Sequence, residues 1–389
     1  MSTKKSSVAI IGAGIGGLAV AAALRQKGIQ ADVYEQAQRF ARIGAGIQMS
    51  PNAMKVLRGL GLEQKLRDIA FAPASSLNRE WDTGAVSNEF PLADFARTRY
   101  GTPFLAMHRG DLHASLATLV PDECIHRGQE LVEFDQDGSG VTLGFAGGLR
   151  VEADFVIAAD GVHSLVREKL LGAENPRFTG RVAYRTTFPA SQLKDVDVGS
   201  SRTKWWGPDR HIVIYFITRA RDEVYFVTSQ PEDAGWVTPE SWSAKGDVEL
   251  LRAAYAGFHK DVRNVLASCN EVHKWAIFER DPLPRWSEGR VVLMGDACHP
   301  MTPYMAQGAA MALEDSIVLA RCIEGADRSD IESAFKLFES MRKPRTSQVQ
   351  AGSKANTWMQ RKTDPDWVYG YDAWSVPLEA AAVPAAQES

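Results

Sequence analysis

Two short stretches, far apart in the chain, carry residue types that suit a single dinucleotide site. In Val8-Ala9-Ile10-Ile11-Gly12-Ala13-Gly14-Ile15-Gly16-Gly17 an apolar strand pattern runs into glycines at G-x-G-x-x-G spacing: Gly12, Gly14 and Gly17, with Gly16 inside the same loop. Gly12 permits a tight turn, Gly14 lets backbone approach a pyrophosphate, and Gly17 lets helix and strand pack closely. An apolar helix is expected from about Leu18 to Gln26, its positive end toward the phosphates. Gly28 suits its stop. Ala31 to Tyr34 then reads as a second strand ending in Glu35, with Gln36 next. A carboxylate about twenty residues past the glycines suits ribose hydroxyls. Strand, glycines, helix, strand and acid in this order predict an adenine dinucleotide.

The second stretch is Gly295-Asp296-Ala297-Cys298-His299-Pro300, after an apolar strand at Val291 to Met294. Asp296 offers an acceptor for ribityl hydroxyls, which NAD lacks. Gln307-Gly308-Ala309-Ala310 opens a helix to about Cys322, whose positive end suits a planar ring that gains negative charge on reduction. A lone Gly-Asp is a common turn; paired with the first stretch it predicts FAD. No second G-x-G-x-x-G follows, so NADH or NADPH is expected as a transient co-substrate.

A third motif lies between them: an apolar strand, Asp154 to Ala159, then Asp160-Gly161-Val162-His163-Ser164-Leu165-Val166-Arg167. With these three motifs in this order, the chain resembles the group A flavoprotein aromatic hydroxylases over nearly its whole length. The resemblance implies an α/β fold, with a Rossmann-type FAD-binding domain interleaved with a β-rich substrate domain, as in p-hydroxybenzoate hydroxylase. It also implies cofactor roles for Arg109, in His108-Arg109-Gly110-Asp111-Leu112, and for Gln36, Leu131 and Asp160. Asp160 reads equally as a strand-to-helix turn with Ser164 near a cap.

Arg42-Ile43-Gly44-Ala45-Gly46-Ile47, Lys204-Trp205-Trp206, Asp209-Arg210-His211, Met305-Ala306-Gln307-Gly308 and Trp367-Val368-Tyr369-Gly370-Tyr371-Asp372 are similar to a branch of that family. The branch hydroxylates and decarboxylates a hydroxypyridine carboxylic acid. This chain departs from it where substrate is expected. Gln48 and Tyr304 stand where the branch has histidines, and Arg202 where it has a cysteine; His211 and Tyr215 are kept.

The resemblance implies hydroxylation of a small hydroxylated aromatic or N-heteroaromatic acid, 6-hydroxynicotinate- or salicylate-like, with or without decarboxylation. Reduced FAD and O2 would act through a C4a-hydroperoxyflavin, and the protein must hold the ring, assist its ionisation and exclude water. Tyr215 and His211 are the expected catalytic contacts, with Gln48. Four residues apart, they share one face of a strand, although an aromatic there is ordinarily core. Tyr215 is the expected proton relay. Arg202 suits a two-pronged carboxylate contact, and Tyr304 would line the same pocket. His299 suits either a flavin contact or a loop cap; Trp205, Trp206 and Met305 read as core. Two alternatives stay open: a flavin oxidoreductase of the same fold that does not hydroxylate a ring, and a non-catalytic flavin-binding protein.

Composition agrees. The 389 residues are 45% hydrophobic and carry a net charge of −4, enough to bury a large core and a poor match to nucleic acid. Cys124, Cys269, Cys298 and Cys322 show neither CxxC nor metal spacing, which suits a reducing cytoplasm. Lys4-Lys5 before an apolar run imitates a signal peptide, but the glycine fingerprint explains that run better, and no stretch is suited to span a membrane. Residues 1–76, 100–180 and 280–350 are expected to form the FAD-binding lobe and 77–99 and 181–279 the β-rich lobe. Residues 351–389 form a C-terminal segment whose tail, Ala380 to Ser389, is expected to be disordered. Helices are expected at Pro51 to Leu60, Asp111 to Leu119 and Ile331 to Gln350. Strands are expected in Leu77 to Arg99, in Leu131 to Ala159 with a turn at Asp137-Gly138, and at Val182 to Phe188, Thr203 to Trp206, Ile212 to Ile217, Val224 to Thr228 and Val272 to Phe278. The sequence sets no oligomeric state.

Overall fold

A computed structural model describes residues 3–42, 45–173, 176–233, 244–327 and 329–379. Ile43, Gly44 and the tail from Ala380 lie outside the described residues.

The first sheet is built on five parallel strands in the order Val291–Leu293, Arg150–Ala158, Thr3–Ile11, Asp32–Glu35, Ile125–Arg127. Strands covered on both faces read as continuous apolar runs, and Val8 to Ile10 and Val291 to Leu293 are buried accordingly. Helices Ile15–Gln26 and Gly308–Ile323 pack together in the core beside this sheet. An antiparallel extension, Leu131–Gln136 and Val141–Phe145, turns where expected, with Asp137 Oδ1 accepting from Ser139 N at 2.7 Å and Gly140 N at 3.1 Å. Because the five strands are parallel, the residues that follow Ile11, Asp32–Glu35, Ala158 and Leu293 emerge along one edge, where such sheets bind ligands.

The second sheet runs Lys245–Gly246, Val272–Glu279, Arg177–Pro189, Glu223–Pro231, His211–Phe216, Arg202–Trp206, Ser75–Glu80, Val86–Pro91. One face, with Ile212, Ile214 and Phe226, shares a hydrophobic core with Leu251, Val262, Val265 and Leu266. Those four sit on helices Val248–Ala254 and Lys260–Ala267, neither of which was expected. The signals were present: Val262, Val265 and Leu266 have helical spacing, and Asp247 caps its helix by accepting from Glu249 N at 2.8 Å and Leu250 N at 3.1 Å.

Other differences are local. The expected strands of Leu77 to Arg99 end at Pro91, and Ala93–Tyr100 is a helix closed by Gly101 at φ 79°. Its Ala96 and Tyr100 join the core of the first sheet, while Phe95 packs edge-on against Phe90 of strand Val86–Pro91 in the second, with ring centroids 5.3 Å apart. The first long strand of the second sheet begins at Arg177 rather than 181. The C-terminal helix continues through Pro344 to Lys354, and the fingerprint helix begins at Ile15, directly after Gly14 as its N-cap.

Helix Gly308–Ile323 carries two adjacent carboxylates, Glu314 and Asp315, with no exposure to solvent. Unpaired, such charges would cost far more than one domain's margin of stability. Arg345 grips Glu314 with Nε–Oε2 at 2.7 Å and Nη2–Oε1 at 2.9 Å, and Arg342 Nε donates to Asp315 Oδ1 at 2.7 Å. Arg342 Nη1 also lies 2.8 Å from Glu314 Oε2, an ion-pair contact without hydrogen-bond geometry. Asn52 Nδ2 donates to Glu314 Oε1 at 2.7 Å, Gly295 N donates to Asp315 Oδ2 at 3.1 Å, and His299 Nε2 meets the same oxygen.

Asp315→Asn leaves Arg342 buried without its full counter-charge. We expect it to lower unfolding stability by about 3–5 kcal/mol in urea titration of the purified protein, while Asp94→Asn, in the exposed pair with Arg97, changes little. Burial raises the Asp315 carboxyl, but His299 and Arg342 overcome it and hold it down at about 2, below the free value of about 3.9. Its stabilisation is therefore complete above about pH 4 and lost as pH falls through about 2; the Asn variant should lack that part of the pH profile. Equal midpoints for the two variants would contradict this.

Candidate active site

The three fingerprint glycines have three separate reasons. Gly12 has φ +97°, and a Cβ there would meet Ala159 O at 2.5 Å; a Cβ on Gly17 would meet Gly12 O at 1.9 Å. A Cβ on Gly14 would meet nothing within 4 Å, so Gly14 opens bare ground at the start of the helix, where a phosphate group can approach. A Cβ on Gly16 would lie 3.4 Å from Ala312 Cβ and 3.5 Å from Met294 Cε, so its lack of a side chain also serves helix packing.

Glu35 holds this loop directly: Oε2 accepts from Ala13 N at 2.8 Å and Oε1 from Ala37 N at 2.8 Å. Gln36 follows, exposed. Gln129 N donates to Glu35 O at 2.8 Å, which places Leu131, two residues on, near the same strand end. Arg109 is exposed at the first position of helix Arg109–Ala117, whose cap His108 accepts from Gly110 N at 3.0 Å. One turn later His113 Nε2 meets Ala13 O at 2.7 Å, so this helix braces the glycine loop.

Asp160 accepts from Val166 N at 3.2 Å through Oδ2, while Oδ1 is buried with no hydrogen-bond partner. Burial raises its carboxyl, against Ser164 and the Val166 amide. Ser164 caps the next helix, accepting from Arg167 N at 2.9 Å, so the turn and the site share these residues. Arg167 Nη1 donates to Ala297 O at 3.0 Å and ties this motif to the Gly295–Ala297 turn. Asp296 is exposed on that turn, its Oδ1 3.9 Å from the position of a Cβ on Gly308. Gly308, Ala309 and Ala310 open the second helix there. Bare backbone at Gly14, an orphaned acceptor at Asp160 and two helix N-termini on one edge suit an anionic, hydroxyl-bearing dinucleotide. His299 belongs elsewhere: it is buried against Asp315, inside the ion cluster, and Cys298 is buried beside it.

A cleft beside this edge is lined by Gln48, Ser50, Phe104 and Arg202, with Met305 to Gln307 and, from the C-terminal segment, Trp358 and Tyr369. Gln48 lies on strand Gly46–Met49 and reaches the Tyr215 hydroxyl; burial raises that phenol, Tyr225 adds to the effect, and Gln48 opposes it. Arg202 donates to Ser76 Oγ and acts electrostatically on Tyr215 and Tyr369. His211 and Tyr304 face each other with ring centroids 5.8 Å apart, and the Tyr304 hydroxyl lies 3.1 Å from Ser229 Oγ. Burial, with the cations Lys204, Arg181 and Arg202, pushes the His211 imidazole well below its ordinary value, so it is neutral at pH 7. The structure thus brings Gln48, Arg202, His211, Tyr215 and Tyr304 together. Sequence reasoning missed Ser50, Phe104, Gln307, Trp358 and Tyr369 as lining residues. Tyr369 lay in a string already singled out, and only its distance along the chain hid its place.

A protein-family model described as an FAD binding domain matches residues 5–353. The chain is 45% identical to a 6-hydroxynicotinate 3-monooxygenase of Bordetella bronchiseptica, over 96% of this chain and 97% of that protein. The chain belongs to this FAD-binding family. It is an FAD-dependent monooxygenase, with the α/β fold of the flavin hydroxylases. A 3-amino-4-hydroxybenzoate 2-monooxygenase of Streptomyces cremeus is 39% identical over 88% of this chain and 84% of its own. Among solved structures, Klebsiella pneumoniae HpxO complexed with FAD and uric acid superposes with a TM-score of 0.80 at 28% identity, covering 93% of this chain and 90% of that one. Among the described residues of the monooxygenase, no helix is long and apolar enough to cross a membrane.

Two variants separate the cofactor edge from the scaffold. Gly14→Val fills open ground and should fold normally yet lose flavin, because its side chain stands where phosphate approaches. Asp296→Ala should weaken FAD by the worth of a charge-assisted hydrogen bond, about 1.5–3 kcal/mol. Flavin-to-protein ratios and affinities of the purified variants, with circular dichroism for folding, check both; full flavin content in the pair would sink the assignment.

Proposed function

We propose that the monooxygenase hydroxylates a small aromatic or N-heteroaromatic carboxylic acid that carries a ring hydroxyl, using O2 and NAD(P)H. The observation that carries this reading is the lining of one narrow cleft of about 10 Å³: Arg202 and Gln48, with Tyr215 against Gln48 and the helix opened by Gly308 at its rim. We assign Gly12, Gly14, Gly16, Gly17, Glu35, Gln36, Arg109, Leu131, Asp160, Asp296 and Gly308 to Ala310 to the cofactor, and the second sheet to the substrate.

Bound FAD, reduced by NAD(P)H, supplies activated oxygen for aromatic substitution. The protein's own part is positional and electrostatic. Arg202 offers a planar fork to a carboxylate. Ionising the ring hydroxyl raises electron density at ring carbons, and the Tyr215 hydroxyl, held by Gln48, is placed to pass that proton on. His211, neutral in its surroundings, offers one donor and one acceptor. Phe104, Met305, Trp358 and Tyr369 wall the cleft with apolar surface and exclude water.

The relatives' names support an aromatic acid without fixing which one. Gln48, Tyr304 and Arg202 stand where the hydroxypyridine branch is expected to have two histidines and a cysteine, so charge, donors and shape all change together. We therefore propose an acid other than 6-hydroxynicotinate as the preferred substrate, to be found by screening hydroxylated acids for NADH consumption and product mass.

With that acid, Tyr215→Phe keeps the ring and should keep flavin and fold. Product per NADH consumed should fall at least about tenfold, with hydrogen peroxide appearing in its place. Gln48→His should gain activity on 6-hydroxynicotinate. Unchanged coupling in the first variant together with no gain in the second would move the substrate site elsewhere.

A further inference from the structure

Side chains along strand Arg202–Trp206 alternate between two faces of the second sheet. Thr203 and Trp205, with Leu77 and Ile214, line a cavity of about 300 Å³ on one side. Arg202, Lys204 and Trp206 face the other side, where Arg202 lines the cleft. Lys204 is in register with Val213 and Trp206 with His211, so His211, Val213 and Tyr215 share that face.

The polar groups of Arg202 and Trp206 are donors only. Arg202 Nε and Trp206 Nε1 are buried with no hydrogen-bond partner. Lys204 is 4% exposed and holds Nζ 3.6 Å from the centroid of the Trp206 ring. Its charged neighbours are Arg202 and Arg181, both cations, and among the described residues no acid pairs with it. The buried acids lie elsewhere: Asp154 on the first sheet, Glu314 and Asp315 in the ion cluster. A buried face with a guanidinium and two unpartnered donors, Arg202 Nε and Trp206 Nε1, suits a ligand that brings acceptors and negative charge.

Burial, reinforced by Arg202 and Arg181, pushes the Lys204 amine well below the usual lysine range, which favours its uncharged, proton-accepting form. Tyr215, raised by burial, can pass a proton but does not hold the charge left behind, so its relay needs an end. Resting on the reading of this cleft as the aromatic-acid site, we infer that Lys204 receives the proton of the substrate's ring hydroxyl while Arg202 holds the carboxylate. The substrate O–H bond breaks and an N–H bond forms at Nζ. The result is a ring oxyanion beside an ammonium, which also lies over the indole face of Trp206; no electrons change hands. Positions two apart on one strand face are about 6.6 Å apart, a span that suits substituents at opposite ends of a six-membered ring.

The test uses holoenzyme and 4-hydroxy-3-nitrobenzoate, whose phenol and oxyanion differ in absorbance, titrated with pH and read as difference spectra. In the wild type the bound probe should ionise about one to three pH units lower than the free probe, the shared proton sitting on nitrogen. Lys204→Met, checked for flavin content and melting temperature, should abolish that shift and cut product per NADH at least about tenfold. Arg202→Met should weaken binding about tenfold or more while leaving the shift in the bound probe. A bound wild-type probe that ionises like the free one overturns the inference without any variant, and so does a Lys204→Met complex that ionises like wild type. If neither the probe nor any aromatic acid binds, the aromatic-acid reading itself falls.

Discussion

Two adjacent carboxylates with no access to water, Glu314 and Asp315, set the conditions for the rest of this molecule. Each must be neutralised where it stands, and their partners come from three places along the chain. Arg342 and Arg345 arrive from the C-terminal helix, Asn52 from the helix after the Gln48 strand, His299 and Gly295 N from the Gly-Asp turn. Satisfying one helix therefore fixes the turn that carries Asp296, the start of the helix at Gly308 and the strand that carries Gln48. The relay continues to the cleft: Asn52 Nδ2 donates to Gln307 Oε1 at 3.0 Å, and Gln307 Nε2 to Ser50 Oγ at 2.9 Å. Arg345 also donates to Trp367 O at 2.7 Å and Val368 O at 3.1 Å, which seats Tyr369 at the cleft wall.

The cofactor edge was legible because it obeys local rules. The glycine spacing, Glu35 at the end of the second strand and the Gly295-Asp296 turn each have meaning within a few residues, and parallel strands bring them to one edge. The ion cluster was not legible. Glu314-Asp315 and Arg342 to Arg345 read as ordinary surface charges on helices, and only the packing of one helix on the other buries them. The helix Ala93–Tyr100 was hidden by its polar composition, and Lys260–Ala267 by the strands on either side of it. His211 and Tyr215 were correctly placed on one face by period-two spacing alone. The lining residues from the C-terminal segment were beyond reach, since nothing local says that Trp358 and Tyr369 return to the cleft.

The second sheet divides its labour by face. One side is closed by two helices over Ile212, Ile214 and Phe226. The other carries Arg202, Lys204, Trp206, His211 and Tyr215, with unpartnered donors at Arg202 Nε and Trp206 Nε1 and, among the described residues, no buried acid. Buried donors without partners cost stability, and such departures from a satisfied core are expected at functional surfaces. Gln48, Arg202 and Tyr304 lie on or beside this face, so the three departures from the hydroxypyridine branch fall together in the fold.

We propose that this cleft serves insertion of one oxygen atom from O2 into an aromatic acid. Mass spectrometry of the product formed under isotopically labelled O2, in ordinary water, tests it most directly. The account predicts a hydroxylated acid carrying one labelled oxygen atom per molecule, formed only with NADH or NADPH present. A product whose new oxygen comes from water, or labelled hydrogen peroxide with the acid recovered unchanged, would contradict it.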